Sequence, residues 1–447
     1  MCGIYGITER NPEFINSYIR QCSHRGPDGN SIWYDDDISL GHNLLAITSE
    51  PAQGKQPVET KHGVLTYNGE IFNYADLIKE INWIPQTTCD TEYLSYALGT
   101  MPYETVNEKI DSMHAYAYYR KATKHLILSR DHVGIKPLYY AEIPQGLVFG
   151  SEIKGIIDKV PNGRCIDDFA AAAMSYSGLN ATRNTLFRNI KKVMPGETLV
   201  YDVVNKRFIG SSKQIIVATS KAKFDAEQFR HEAHETVKMC TLGMRKFGVF
   251  LSGGLDSTLV AYELKKILGE VDSFTNEMEP NVRIGEDHND DANCAKRFAE
   301  DFGFRHHRVK VTPQTIKDCW EKSMHTMEQP VYNMSIPMYY DTNKFLSNQG
   351  VVVTMAGDMG DELLGGYPKY WKLKNEPPKD FRDMIWKWMH RIKRPVQLTG
   401  NVDPRDIHEE LCRTIPEQLW NPADPINSYM AVDCVTQVPE EFFSRND

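Results

Sequence analysis

The chain predicts two architectures in series: a β-rich amino-terminal half, then an α/β half built on a parallel sheet. Up to about Tyr201, short apolar runs alternate with tight-turn residues. From Phe224 onward, apolar strands alternate with charged helical stretches, the pattern of a parallel sheet. A polar stretch near Ser211–Lys223 separates them and reads as a linker.

In the first half, "MCGIYGI" places a strand directly behind a thiol, Cys2. "GVLTYNGEIFNY" predicts a strand to Tyr67, a turn at Asn68-Gly69 and a second segment beyond. "HLILSRDHVGIKPLYYAEIPQGLVFGSE" predicts three strands, with turns near Gly134 and Gln145-Gly146. In the second half, "FGVFLS", "VDSFTNEM", "HHRVKV" and "GVVVTMAGD" are the strands. "DAEQFRHEAHETVKMCTLG", "GGLDSTLVAYELKKILG" and "NDDANCAKRFAEDFG" are helices, the last two stopped by Gly269 and Gly303. "MIWKWMHRIKR" (384–394) reads as a surface helix that packs its tryptophans.

Bulk composition narrows the function. The chain has 447 residues, 41% hydrophobic and 25% charged, as in a folded multidomain protein. A net charge of −9 disfavours a broad nucleic-acid face. No apolar run reaches membrane-span length, so no membrane partner is expected. The nine cysteines include no CxxC pair, which predicts reduced thiols and a cytoplasmic protein.

Two stretches concentrate chemistry. "LSGGLDST" lies between a strand and a helix, where Gly253 and Gly254 allow a sharp turn and close approach to a ligand. The free N–H groups of the helix start suit an anion, and Ser252, Ser257 and Thr258 add hydroxyls. The Walker pattern is absent, and two adjacent glycines alone fit a plain strand-to-helix turn equally well. "VVVTMAGDMGDELLGGYPKYW" repeats the arrangement, with Asp358, Asp361 and Glu362 crowded beside it. Such crowding calls for a cation or a proton.

SGGxDS resembles the pyrophosphate loop of ATP pyrophosphatases, which split ATP between its α and β phosphates and adenylate a substrate oxygen. Together, SGGLDS and GDxGDELxGGYxxY resemble the synthetase domain of asparagine synthetases. The resemblance implies that Leu251, Ser252, Gly253, Gly254, Leu255, Asp256, Ser257 and Gly357 hold ATP. It implies that Asp256 and Asp361 bind Mg²⁺, and that Asp358 sits beside the adenylate as a polar or basic catalytic group. Glu328-Gln329-Pro330 stands where the family often has Asp-Glu-Pro, and Met359 replaces a customary glycine, which would tighten the loop.

The same family carries an amino-terminal glutamine amidotransferase domain whose nucleophile is an amino-terminal cysteine. "CGIYGI", "SHRGPDG", "YNGEIFNY", "TTCDTE", "SRDHVGIKPLYY", "FGSEIKGI" and "MPGETL" match its landmarks. The resemblance therefore implies an α+β N-terminal-nucleophile αββα sandwich over 2–205. A linker over 206–223 and a parallel-sheet, PP-loop synthetase domain over 224–447 follow.

A thiol of pKa ~8.5 needs a base at neutral pH, and the α-amine left on Cys2 by removal of Met1, at pKa ~7.7–8.0, would serve. Asn68 and Gly69 would form the oxyanion hole, and Asp90 would pair with the ammonium of glutamine.

Two departures qualify this. "GHNLLAI" puts Leu44 where the family has the arginine that grips the glutamine carboxylate, which predicts weak glutamine use. "DCVTQVPEEFFSRND" ends the chain where the family continues. The implied reaction joins ammonia from glutamine to an ATP-activated carboxylate, that of aspartate. Three other readings stay open: another acceptor (a specialised metabolite or modified nucleobase), one subunit of a split synthetase, or a degenerate regulatory subunit. A homodimer, or a second polypeptide supplying the missing segment, are the protein partners this leaves open.

Overall fold

The computed structural model describes residues 1–81, 83–215, 223–280, 289–331, 333, 335–392 and 402–444. The chain divides into two compact units. One comprises Met1–Val217, Glu328–Tyr332 and Lys369–Asp447, and the other Ala218–Met327 and Asn333–Pro368. The units cut across the division drawn from sequence, because two late segments pack with the amino-terminal half.

The first unit holds twelve strands among its described residues. They are β1 (Gly3–Ile7), β2 (Gly29–Tyr34), β3 (Ser39–Leu44), β4 (Val58–Glu59), β5 (Gly63–Ile71), β6 (Ser112–Arg120), β7 (His125–Arg130), β8 (Tyr139–Ile143), β9 (Gly146–Gly150), β10 (Lys191–Lys192), β11 (Glu197–Asp202) and β12 (Arg207–Lys213). They form two six-stranded sheets, ordered β10-β8-β9-β1-β3-β2 and β12-β11-β7-β6-β5-β4.

Period-two alternation explains the layering. Ile4, Leu40, Val64, Ala115, Ala117 and Phe149 point into a core between the sheets. Their neighbours Tyr5 and Ile7 point outward, under Ile15, Tyr18 and Ile19 of the helix Pro12–Gln21. Tyr116 and Tyr118 do the same on the other sheet, under Leu94 and Leu98 of the helix Asp90–Thr100. The order is helix, sheet, sheet, helix, and it buries both faces of each sheet, so these strands read as continuous apolar runs.

Two local expectations are corrected. Asn68-Gly69 is not a turn: β5 runs straight through it, with Asn68 opposite Ala115 and Gly69 opposite His114. The glycine is there for space, since a Cβ would lie 2.2 Å from the Met113 carbonyl oxygen. The polar run at Ser211 is not all linker, because Arg207–Lys213 is β12, an edge strand paired with β11. Residues 216–222, also expected as linker, lie outside the described residues.

In the second unit, β13 (Phe247–Phe250), β14 (Asp272–Met278), β15 (Arg305–Val311) and β16 (Val353–Met355) form a sheet ordered β15-β14-β13-β16. Every pairing in it is parallel. The chain steps outward from β13 to β15 and then returns to the far side of β13. The order therefore reverses between β13 and β16, the place where open α/β sheets leave a crevice at their carboxyl ends.

The late segment of the first unit is helical, with Phe381–Met389, Pro404–Thr414 and Pro425–Val435. Trp388 is fully buried and Trp386 is 37% exposed, so the 384–394 stretch packs one tryptophan rather than both. Asp433 is also fully buried. Its carboxylate accepts from Trp388 Nε1 at 2.8 Å and Tyr370 Oη at 2.9 Å, and pairs with Lys369 at 2.8 Å and with Arg391. Burial pushes this carboxyl up, but Arg391 and Lys369 outweigh it and hold it below its ordinary value.

Asp433→Ala removes a fully buried carboxylate from the half-buried Arg391 and from Lys369, and is expected to cost about 3 kcal/mol, read by denaturant unfolding. The folded carboxyl titrates lower than the unfolded one. Its contribution is therefore complete above the ordinary carboxylate range and is lost as pH falls through the lowered folded value. A mutant as stable as the wild type at neutral pH would contradict this.

Candidate functional site

Cys2 leads into β1, which lies inside its sheet between β9 and β3. Three contacts fix the residue. Its Sγ donates to the Leu45 carbonyl at 3.6 Å and accepts from the Leu45 N–H at 3.4 Å. Its carbonyl accepts from Arg25 Nε at 2.9 Å. Arg25 is itself buried and bonds Glu152 at 3.1 Å, which also takes His24 at 2.8 Å and Lys154 at 2.7 Å. The backbone N–H groups of Ile153 and Lys154 both donate to Glu328 at 2.6 Å. A continuous polar network thus runs from the start of the chain to the 328–332 segment.

The turn "SHRGPDG" explains Leu45. Gly26 packs so tightly on β3 that a Cβ would lie 2.4 Å from the Asn43 backbone. Asp28 accepts from the Ala46 N–H at 2.9 Å. Together they hold the chain segment that touches the thiol.

Cys2 shares one cavity, of about 50 Å³, with Met1, Leu44, Leu45, Tyr67, Asn68, Gly69, Glu70 and Asp90 among others. Asn68 is 1% exposed, and its Nδ2 has no hydrogen-bond partner among the described residues. Such an orphaned buried donor is rare without a ligand to receive it. Asp90 opens its helix and accepts from Tyr67 Oη at 3.0 Å and the Ile71 N–H at 2.9 Å. Burial pushes the Cys2 thiol up, the amino-terminal charge, the Leu45 N–H and Arg25 pull it down, and Asp90 adds to the rise. No histidine lines the cavity among the described residues. His42, nearby on β3, is buried and pushed down to about 4, so it is a neutral ring.

The sequence-predicted residues Cys2, Asn68, Gly69 and Asp90 therefore meet in one place. Arg25, Leu45, Tyr67 and Glu70 were not assigned roles from sequence, although each lies in or beside a quoted landmark. Leu44, 7% exposed, forms wall where a cation was looked for.

In the second unit, the loops after β13 and β16 leave neighbouring parallel strands at the reversal point. Leu251 is pinned to β14 through its N–H to Phe274. Ser252 Oγ and Ser257 Oγ lie 2.9 Å apart, and the Gly254 N–H donates to Ser252 Oγ at 3.2 Å. Gly253 has φ +81°, and a Cβ there would lie 2.7 Å from the Ala295 nitrogen. The helix that follows is Leu255–Leu268.

The second loop lies on that helix start. A Cβ on Gly357 would lie 2.6 Å from the Ser257 nitrogen, and one on Gly360 would lie 2.5 Å from Asp256 Cγ. Burial pushes the Asp256 carboxyl up and the charge of Asp361 adds to it, so the pair would be relieved by a cation. Two carboxylates with phosphate oxygens completing the shell suit Mg²⁺. No group of three or more potential ligands converges among the described residues. Asp358 is half-buried in this loop. Met359 takes φ 76°, a left-handed conformation costing a non-glycine residue about 1–2 kcal/mol.

Gly357→Ala is expected to destabilise the second unit by about 1–3 kcal/mol, because the obstacle is backbone and cannot swing aside. Chemical denaturation would read it, and an unchanged midpoint would contradict the close approach.

Residues 1–209 match the model of a glutamine amidotransferase domain and residues 228–445 that of asparagine synthase. Among curated relatives is a protein of Methanocaldococcus jannaschii named putative asparagine synthetase [glutamine-hydrolyzing] 2. It is 26% identical over 399 residues, covering 82% of this chain and 76% of its own length. Asparagine synthetase [glutamine-hydrolyzing] 1 of Bacillus subtilis is 27% identical, over 83% of this chain and 59% of its own. Asparagine synthetase B [glutamine-hydrolyzing] of Escherichia coli is 27% identical, over 84% and 66%. The chain thus spans between 59% and 76% of the length of these relatives.

Proposed function

Because the chain belongs to the family of glutamine-hydrolysing asparagine synthetases, we propose that it releases ammonia from glutamine at Cys2 and joins it to an ATP-activated carboxylate. The acceptor we infer is aspartate. The observation that carries the reading is one cavity holding a thiol, an orphaned amide donor and a buried carboxylate without a histidine among its described walls.

Without an imidazole, the base is the α-amine that removal of Met1 leaves on Cys2 itself. Met1 lines the cavity, so its removal also enlarges it. The amine takes the thiol proton and the thiolate attacks the amide carbon. Asn68 Nδ2 donates to the developing oxyanion, with the Gly69 N–H as its partner in the hole. Ammonia leaves on receiving that proton, and water cleaves the thioester to glutamate. Asp90 holds the substrate ammonium, and Arg25 keeps Cys2 in register by its carbonyl.

In the second unit, Ser252, Gly253, Gly254, Ser257 and the helix N–H groups would cradle the pyrophosphate of ATP, between Leu251 and Leu255 on one side and Gly357 on the other. Asp256 and Asp361 would hold Mg²⁺, which when bound neutralises phosphate charge. Asp358 would orient the activated carboxylate or accept a proton from attacking ammonia. The products are an amide, AMP and pyrophosphate. Reduced cysteines, all nine of them free in the structure, suit a cytoplasmic enzyme. No helix among the described residues is long and apolar enough to cross a membrane.

Cys2→Ala is expected to abolish glutamine-dependent amide formation and leave the ammonia-dependent reaction. Asn68→Ala is expected to lower only the glutamine-dependent rate, by about 10²–10³-fold. Equal loss of both reactions in Cys2→Ala would overturn the assignment. Release of AMP and pyrophosphate with aspartate, set against other carboxylates, tests the acceptor, and no release with any carboxylate would overturn the synthetase reading.

A further inference from the structure

We propose that the Cys2 cavity prefers primary amides that carry an ammonium group and no carboxylate, so that glutamine is a weak substrate. This rests on reading Cys2 as an amide-cleaving thiol. Asp90 and Glu70 are both buried walls of the cavity, 4% and 7% exposed. Glu70 Oε1 and Asn68 Nδ2 have no hydrogen-bond partner among the described residues. One is an acceptor suited to an ammonium and the other a donor suited to an amide oxygen, so the cavity offers places for both ends of an amino-amide.

Electrostatics agree. Burial pushes Asp90 up, and burial together with the charge of Asp90 pushes Glu70 up to about 9. A buried carboxyl raised further by a neighbouring carboxyl is relieved by a cation brought beside it. A carboxylate on the same ligand has no such welcome. No lysine or arginine side chain lines the cavity among its described walls, and Leu44 presents an apolar surface there. A charge brought against it would be desolvated without a partner.

The neighbouring cations are already engaged or lie outside. Arg25 is bonded to the Cys2 carbonyl and to Glu152. Lys136 Nζ lies 3.4 Å from the Met1 sulfur, so removal of Met1 opens the cavity toward it, and its charge is already set against Glu70. Lys55 is exposed, between the lining residues Gly54 and Gln56.

Three probes separate the two ends of the ligand. γ-Aminobutyramide is glutamine with hydrogen in place of the carboxylate, and glutaramic acid is glutamine with hydrogen in place of the ammonium. Ammonia release by the full chain is expected to give γ-aminobutyramide a kcat/KM equal to or above that of glutamine. Glutaramic acid should fall about a hundredfold or more below both, because its loss leaves buried acceptors unmatched. Leu44→Arg should shift the ratio toward glutamine by about tenfold or more. Should that variant fail to fold, the wild-type ranking alone decides.

A wild-type preference for glutamine of about tenfold or more would overturn the proposal. Loss of that preference in Lys136→Met or Lys55→Met would then say which cation takes the carboxylate. Release that survives in Cys2→Ala, or no release from any of the three, would overturn the reading of the thiol as well. Cys2-dependent release that favours glutamine overturns the selectivity alone.

Discussion

The bond from Arg25 Nε to the Cys2 carbonyl is the contact on which the first site depends. A chain terminus is ordinarily its loosest part. Here the residue is gripped through its backbone carbonyl by a buried guanidinium, while the thiol is held separately by Leu45. Arg25 holds that position only because Glu152 balances its charge. Burial raises Glu152, but His24, Arg25 and Lys154 hold its carboxyl well below the usual range. Glu328 closes the network by capping the Ile153 and Lys154 N–H groups, so a segment from late in the chain supports the first residue. The sheet supplies the rest: β1, which begins at the next residue, is paired on both sides.

The second site rests on steric economy rather than charge. Parallel strands that reverse order leave a crevice, and two loops must fill it without closing it. Gly253, Gly357 and Gly360 are glycines because each meets a neighbour where a Cβ would stand, one against a helix backbone and two against the residues of the other loop. Met359 shows the cost of departing from that rule, since it adopts a glycine-like φ without being one.

What the sequence made legible was local chemistry. SGGLDS and the Asp358–Asp361 loop could be placed at strand ends because a glycine turn between an apolar strand and a helix is written in consecutive residues. Cys2, Asn68 and Asp90 were legible only through motif resemblance. Nothing in their spacing says that strand β5 and a helix start bring them to one wall. The Asn68-Gly69 pair was misread because glycine has two uses, reversal and close approach, and the sequence does not distinguish them. β12 was missed because an edge strand exposed on most of its length carries no apolar alternation. Arg25 and Glu328 stood inside quoted segments without a role because their partners lie far away in the chain, and long-range polar pairing leaves no local pattern.

The central claim is that Cys2 is an acylating nucleophile activated by its own amine. It is tested most directly by intact-mass and peptide mass spectrometry of protein acid-quenched during turnover of an amide substrate. The account predicts a chain that begins at Cys2 and carries the acyl group of the substrate as a thioester on that residue. An adduct on another cysteine, or full turnover by protein that retains Met1, would contradict it.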